Sequence, residues 1–210
     1  MQSDMKIKVK QVTPYNPTPA PIRCPHCGKE AAMTPLGQPD LDIGDGIWCG
    51  QRQCPNPECR GHVFVVLKQG RVIQAYPPST IDFNPEGIPA NVVRSFDEAL
   101  RCHAAGCYMA SALMVRRTLE ELCLDKGATG KDLKARIADL RGKIVIPNEL
   151  FEAMDELRLL GNDAAHIEAQ SYEKISEAEL EVAIEFAKEM LKALYQYSGL
   201  LSKIRGLKKT

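Results

Sequence analysis

Two stretches carry residue types that can do chemistry. The first is RLLGNDAAH, Arg158 to His166. Asn162 and His166 are four residues apart, and Arg158 lies one turn before Asn162. On a continuous helix these three share a face. A cation, an amide and an imidazole on one stripe can hold a phosphate and move a proton. Asp163 would orient a neighbour or bind beside them. Gly161, Ala164 and Ala165 leave room for a partner helix or a ligand. Arg116 and Arg117 form a second basic feature. Arg116 precedes Glu120 by four residues, which reads as an ion pair along a helix or as a contribution to a phosphate pocket.

The second stretch is rich in cysteine. Cys24-Pro-His-Cys27-Gly28 has the spacing of a zinc knuckle, in which two thiolates and a following glycine turn the backbone around one ion. Cys54 and Cys59, framing Pro-Asn-Pro-Glu, are the expected second pair, and Cys49 is the alternative to either. Four cysteines would make a closed, structural Zn2+ site with no open position. Of the eight cysteines in the chain, five fall in this module. The start, MQSDMKIKVK, lacks the apolar core of a secretory signal. The thiols therefore point to a reducing, cytoplasmic compartment and to metal rather than disulfides.

Composition sets the outer bounds. The 210 residues suit one ordinary domain plus a small one, and 44% apolar residues suffice for a real core. Lys+Arg and Asp+Glu number 27 each, so any nucleic-acid binding must come from a local patch and not from a global basic field. No apolar run is long enough to span a bilayer.

The elements that must position these residues follow from the pattern. Residues 1–23 read as a proline-rich arm, because Pro14, Pro17, Pro19 and Pro21 exclude a helix or a central strand. Residues 24–76 read as a zinc ribbon. In it His62 to Leu67 and Arg71 to Tyr76 form a hairpin across Lys68-Gln69-Gly70, with His62 opening a strand and His26 facing solvent. Residues 77–90 read as a linker, with four prolines and a glycine. Residues 91–202 read as helices. The first starts at the capping box Ser95-Phe-Asp-Glu98 and ends near Ala104. The second spans about Cys107 to Lys126, with Ala112, Val115, Leu119 and Leu122 on a wide stripe that predicts a central position. A third covers about Lys131 to Arg141. A fourth opens at Pro147 and enters RLLGNDAAH. The last opens at a second capping box, Ser176-Glu-Ala-Glu179, and runs to about Leu200. Residues 203–210 read as a frayed basic tail. Cys102, Cys107 and Cys123 read as buried thiols on helix faces. GATGKD, Gly127 to Asp132, lacks the strand and first glycine of a phosphate loop. The expected fold is α+β, a small β module followed by an antiparallel bundle of four to five helices.

Residues 91–200 resemble the prokaryotic domain of unknown function 4145, which belongs with the HEPN-like helical domains. The carriers are EALRCHAAGCYMASALMVRRTLEELC, the L-x3-I-x2-L helix, LRLLGNDAAH and a final helix containing ALY. The resemblance implies a HEPN-like bundle behind a cysteine ribbon. It also implies association with restriction or defence systems, a homodimer, and RNA or a defence-system protein as partner. Active HEPN ribonucleases carry Arg, four to six residues, then His, and act without metal across a dimer. Asn162 and His166 match that motif, Gly161 stands at the arginine position, and Arg158 lies one turn earlier. Two readings follow. One is a dimeric binding module. The other is a metal-independent endoribonuclease with Arg158, Asn162 and His166 as catalytic residues. A non-catalytic subunit supporting a partner enzyme is a third.

Overall fold

A computed structural model describes residues 13–165 and 175–207. The chain divides into two compact units, residues 1–82 and 83–210. The architecture is α+β.

The first unit is an antiparallel sheet of seven short strands: β1 (Thr13–Tyr15), β2 (Ala20–Arg23), β3 (Glu30–Pro35), β4 (Asp40–Gly44), β5 (Ile47–Gln53), β6 (His62–Lys68) and β7 (Arg71–Tyr76). β5 is the hub. It pairs with β6 along its whole length, and on its other side with β4 and then β3. The β6–β7 hairpin forms as expected, and Gln69 and Gly70 take the positive φ that its tight turn needs. Among its described residues the arm holds neither a helix nor a central strand, yet it contributes two end strands to the sheet. β1 and β2 both lie within residues 1–23, each with a proline. They sit at the two ends of the strand order, where a residue without an N–H costs no ladder bond. β3 and β4 were not foreseen either. The core is Ala20, Met33, Val63, Val65 and Leu67 together with Cys24 and Cys54, and Trp48 and Val72 pack against it.

One ion pair is sealed in this unit. The Arg52 guanidinium donates to both Asp40 carboxylate oxygens at 2.7 and 2.6 Å, and to the carbonyls of Thr18 and Gln51. Arg52 is 0% and Asp40 2% exposed. Gly50 makes room, since a Cβ there would stand 1.8 Å from Asp40 Oδ1.

The second unit is helical: α1 (Ala90–Ala104), α2 (Tyr108–Asp125), α3 (Leu133–Leu140), α4 (Asn148–Ala165) and α5 (Glu177–Leu191). From α5 the chain runs through one π turn (Lys192–Gln196) into α6 (Tyr197–Gly206) without leaving the helix. α2 touches α1, α3, α4 and α5, and its buried stripe is Ala112, Val115, Leu119 and Leu122. It is the central helix its pattern predicted. Three expectations are corrected. α1 starts at Ala90 behind Pro89, and Ser95 is buried inside it. Proline's fixed φ and missing N–H suit the first turn, so the chain enters the helix before the apparent capping box. Part of the proline-rich stretch joins the helical core: Phe83 meets Phe96 edge-on at 4.7 Å and Ile88 is buried. Lys203 and Arg205 stand on α6, where a frayed tail was expected. The second capping box forms as read, with Ser176 and Glu179 bonding each other's backbone.

Candidate functional site: a four-sulfur cluster and a polar helix seam

Two loops of like design bring four cysteines together. In the first, Gly28 N–H returns to the Cys24 carbonyl at 2.9 Å, and His26 N–H points at Cys24 Sγ at 3.4 Å. In the second, Cys59 N–H and Arg60 N–H both reach the Asn56 carbonyl at 3.0 Å, and Gly61 N–H points at Cys59 Sγ at 3.4 Å. The residue after the second cysteine of each pair is left-handed, Gly28 at φ 71° and Arg60 at φ 48°. The loops also lock together. Gly61 lies flush on the His26 ring, where a Cβ would meet it at 2.2 Å, and His26 Nε2 bonds the His62 carbonyl at 2.8 Å. His26 is exposed at its edge, and His62 opens β6; neither joins the sulfurs.

Cys24, Cys27, Cys54 and Cys59 place their sulfurs within 4.8 Å of one another. Cys24 and Cys59 are 3.8 Å apart, as are Cys27 and Cys54. Four thiolates on a tetrahedral zinc ion at ~2.3 Å stand about 3.8 Å from each other, so the residues fit the ion. These separations are far beyond a disulfide bond of ~2.05 Å. The Lys29 backbone amide brings the Cys27 thiol down to about 6, while burial pushes Cys54 up to about 12. Cys49 lies apart, with its sulfur 3.9 Å from the Leu41 carbonyl. Spacing alone left it open as a ligand. Its place in the middle of β5, paired with Leu41 and Val66, sets it apart from the loops.

In the helical unit α4 carries Arg158, Asn162 and Asp163. His166 lies outside the described residues. Arg116, on α2, reaches across to this stretch: its Nη1 donates to Asn162 Oδ1 at 2.6 Å and to the Arg158 carbonyl at 3.3 Å. Its Nε stays 3.4 Å from Glu120. Arg158 pairs with Asp155 at 3.2 Å and is mostly buried. Gly161 is the reason the helices come this close. A Cβ at that position would stand 2.5 Å from the Arg116 Cβ. The room left by the small residue is thus taken by the stem of Arg116. Arg117 does not join this group. It pairs with Glu121 at 2.6 Å, and Glu121 also accepts from Asn91 at 2.8 Å. Asp163 is half-buried.

The family model described as Domain of unknown function (DUF4145) matches residues 97–208, just over half of the chain. The chain belongs to this family. The match begins within α1 and includes α2 to α6, so the Arg116–Asn162 seam lies inside the family domain and the four cysteines lie ahead of it. No curated protein and no solved structure matches the chain.

The helical cysteines divide. Cys123 is fully buried on α2, and burial pushes its thiol up to about 11. Cys102 is half-buried. Cys107 is exposed at the start of α2, which corrects the expectation of a buried thiol; the α1–α2 turn at Gly106 leaves it outside both apolar stripes. Sequence reasoning missed one grouping. His103, Glu177 and Glu181 bring their ligand atoms within 4.8 Å of one another, while Tyr108 donates to Glu177. The partners are more than 70 residues apart in sequence, so only the i,i+4 glutamates gave any signal. No described helix is long and apolar enough to cross a membrane.

Proposed function

We propose that the chain is a binding module, a structural zinc ribbon ahead of a HEPN-like helical bundle. In this reading it works as a homodimer on RNA or on a protein partner in a cytoplasmic, prokaryotic nucleic-acid-related or phage-defence system. Cys24, Cys27, Cys54 and Cys59 would hold the zinc, and the ion would supply cross-linking rather than reactivity, because four thiolates leave no position for water or substrate. The observation that carries the reading is the bond from Arg116 to Asn162. It commits the motif's amide to a neighbouring helix, as Asp155 commits Arg158. A polar seam whose members satisfy one another is what a structural motif requires.

The second reading, a metal-independent endoribonuclease, draws support from the same bond. It brings a guanidinium to Asn162 although Gly161 occupies the motif's arginine position. There Arg158 would stabilise phosphorane charge, Asn162 would position the phosphate and His166 would transfer the proton. The deciding experiment compares RNA binding and cleavage by the wild type, Arg158→Ala and His166→Ala, with zinc content measured on each preparation. The module reading expects one zinc per chain and no cleavage. Cleavage that falls about 100-fold or more in His166→Ala would overturn it.

A further inference from the structure

Between α4 and α5 runs an open groove of about 700 Å³. Its floor is apolar, with Leu157 and Leu160 from α4 and Val182 and Phe186 from α5. Val182 is 58% and Phe186 43% exposed, so an apolar strip faces outward. The rim is acidic: Glu149, Glu152 and Glu156 stand along α4, and among the described residues no Lys or Arg lines the groove.

The opposite surface lies on the same chain. α6 buries none of its residues. Leu200, Leu201, Ile204 and Leu207 recur at the spacing of one helix face and are 47–81% exposed. Cations accompany them at Lys203, which also pairs with the exposed Glu86 at 3.0 Å, and at Arg205, and the sequence continues with Lys208 and Lys209. One end of the long helix thus offers an apolar stripe with positive charge, and the other forms the wall of an apolar groove with negative charge.

We infer that α6 docks in the α4–α5 groove of a second copy of this chain. Charge complementarity selects the pairing, and covalent geometry selects the second copy. Val182 and Leu201 sit nineteen residues apart on one continuous helix, about 28 Å at 1.5 Å per residue. A helix cannot fold back onto its own wall, so α6 reaches a groove only in another molecule. Because each chain offers one stripe and one groove, a two-fold axis satisfies both at once and closes the assembly at two. The inference stands apart from the zinc site and from the question of cleavage.

The test uses the full chain and its mass in solution, by light scattering and sedimentation. The wild type is expected to be a dimer. A stripe variant, Leu200→Glu with Ile204→Glu, and a rim variant, Glu149→Lys with Glu152→Lys, should each weaken self-association at least about 100-fold while leaving the helical circular dichroism unchanged, since all four positions are exposed. Mixing the two variants should restore a one-to-one complex, because one intact stripe then meets one intact groove. Adding Lys203→Glu and Arg205→Glu to the rim variant should recover self-association. A monomeric wild type would overturn the inference and leave the groove to residues 166–174 or to a foreign amphipathic helix. A dimer that survives both variants would also overturn it, while sparing a dimer built on another face.

Discussion

At the scale of single residues, close approach governs the polar seam. Gly161 admits Arg116 only because it lacks a Cβ. Gly161→Ala should destabilise the helical unit by about 1–3 kcal/mol, as overpacking does, in urea denaturation followed by helical signal. Placing an arginine there with Gly161→Arg should cost more, because the stem of Arg116 already fills that space. The sealed pair in the β unit gives a second expectation. Asp40→Ala leaves the Arg52 cation buried and should cost about 3–5 kcal/mol, whereas replacing both residues with apolar ones should cost far less. Charge on α2 sets a pH dependence. The Asn91 amide, then Arg117, holds the Glu121 carboxyl below the usual carboxylate range. A depressed folded value contributes stability above the unfolded value near ~4.3, and that contribution is lost as pH falls through the folded value. Thermal melts between neutral and acid pH should therefore show a steeper acid loss in the wild type than in Glu121→Gln. Residue types and spacing revealed the Cys24–Cys27 and Cys54–Cys59 pairs, since each loop is local. That Gly161 leaves room for a neighbouring helix was legible, but not that the Arg116 stem fills it, because that depends on a side chain 45 residues away.

At the scale of elements, local signals succeeded and relational ones failed. Asp132 accepts from Ala135 N–H at 2.8 Å and caps α3, so Asp132→Ala should cost about 1 kcal/mol, checked in the same denaturation assay. The box at Ser176 and Glu179 could be read from four residues, and the structure forms it. Ser95 and Glu98 offered the same signature, but Pro89 had already begun the helix six residues earlier. Pro14 and Pro21 argued against a helix or a central strand, but could not say that end strands would form there. They are tolerated because β1 and β2 lie at sheet ends, a fact about partners that no window of residues contains. The hairpin of β6 and β7 was visible from alternation and turn residues, whereas β3 and β4, short and rich in small or polar residues, lacked that pattern.

At the scale of the whole molecule, the two units should respond separately to metal. A structural zinc contributes about 10–16 kcal/mol to folding, more than a small β module has to spare. With the proposed zinc in the four-cysteine cluster, a strong chelator should therefore unfold the β unit, as should Cys27→Ser with Cys54→Ser. The one tryptophan, Trp48, packs on the β core, so its fluorescence follows that unit. Helical circular dichroism should persist. Loss of both signals together would show that the helical unit depends on the β unit.

The π turn at Lys192–Gln196 bears on the same scale. It holds one residue more than an α turn would, and it is pinned: Tyr195 donates to Asp125 at 2.8 Å beneath the Lys126 ammonium, and Gln196 donates to the carbonyls of Asn84 and Glu86. Each residue of an α-helix advances the chain by about 100°. That extra residue therefore sets the azimuth at which Leu200, Leu201 and Ile204 leave the bundle. Were the same five residues wound as ordinary α-helix, the stripe would swing by about a quarter turn, with length, charge and composition unchanged. The chain would keep every chemical group of the stripe and lose only their bearing.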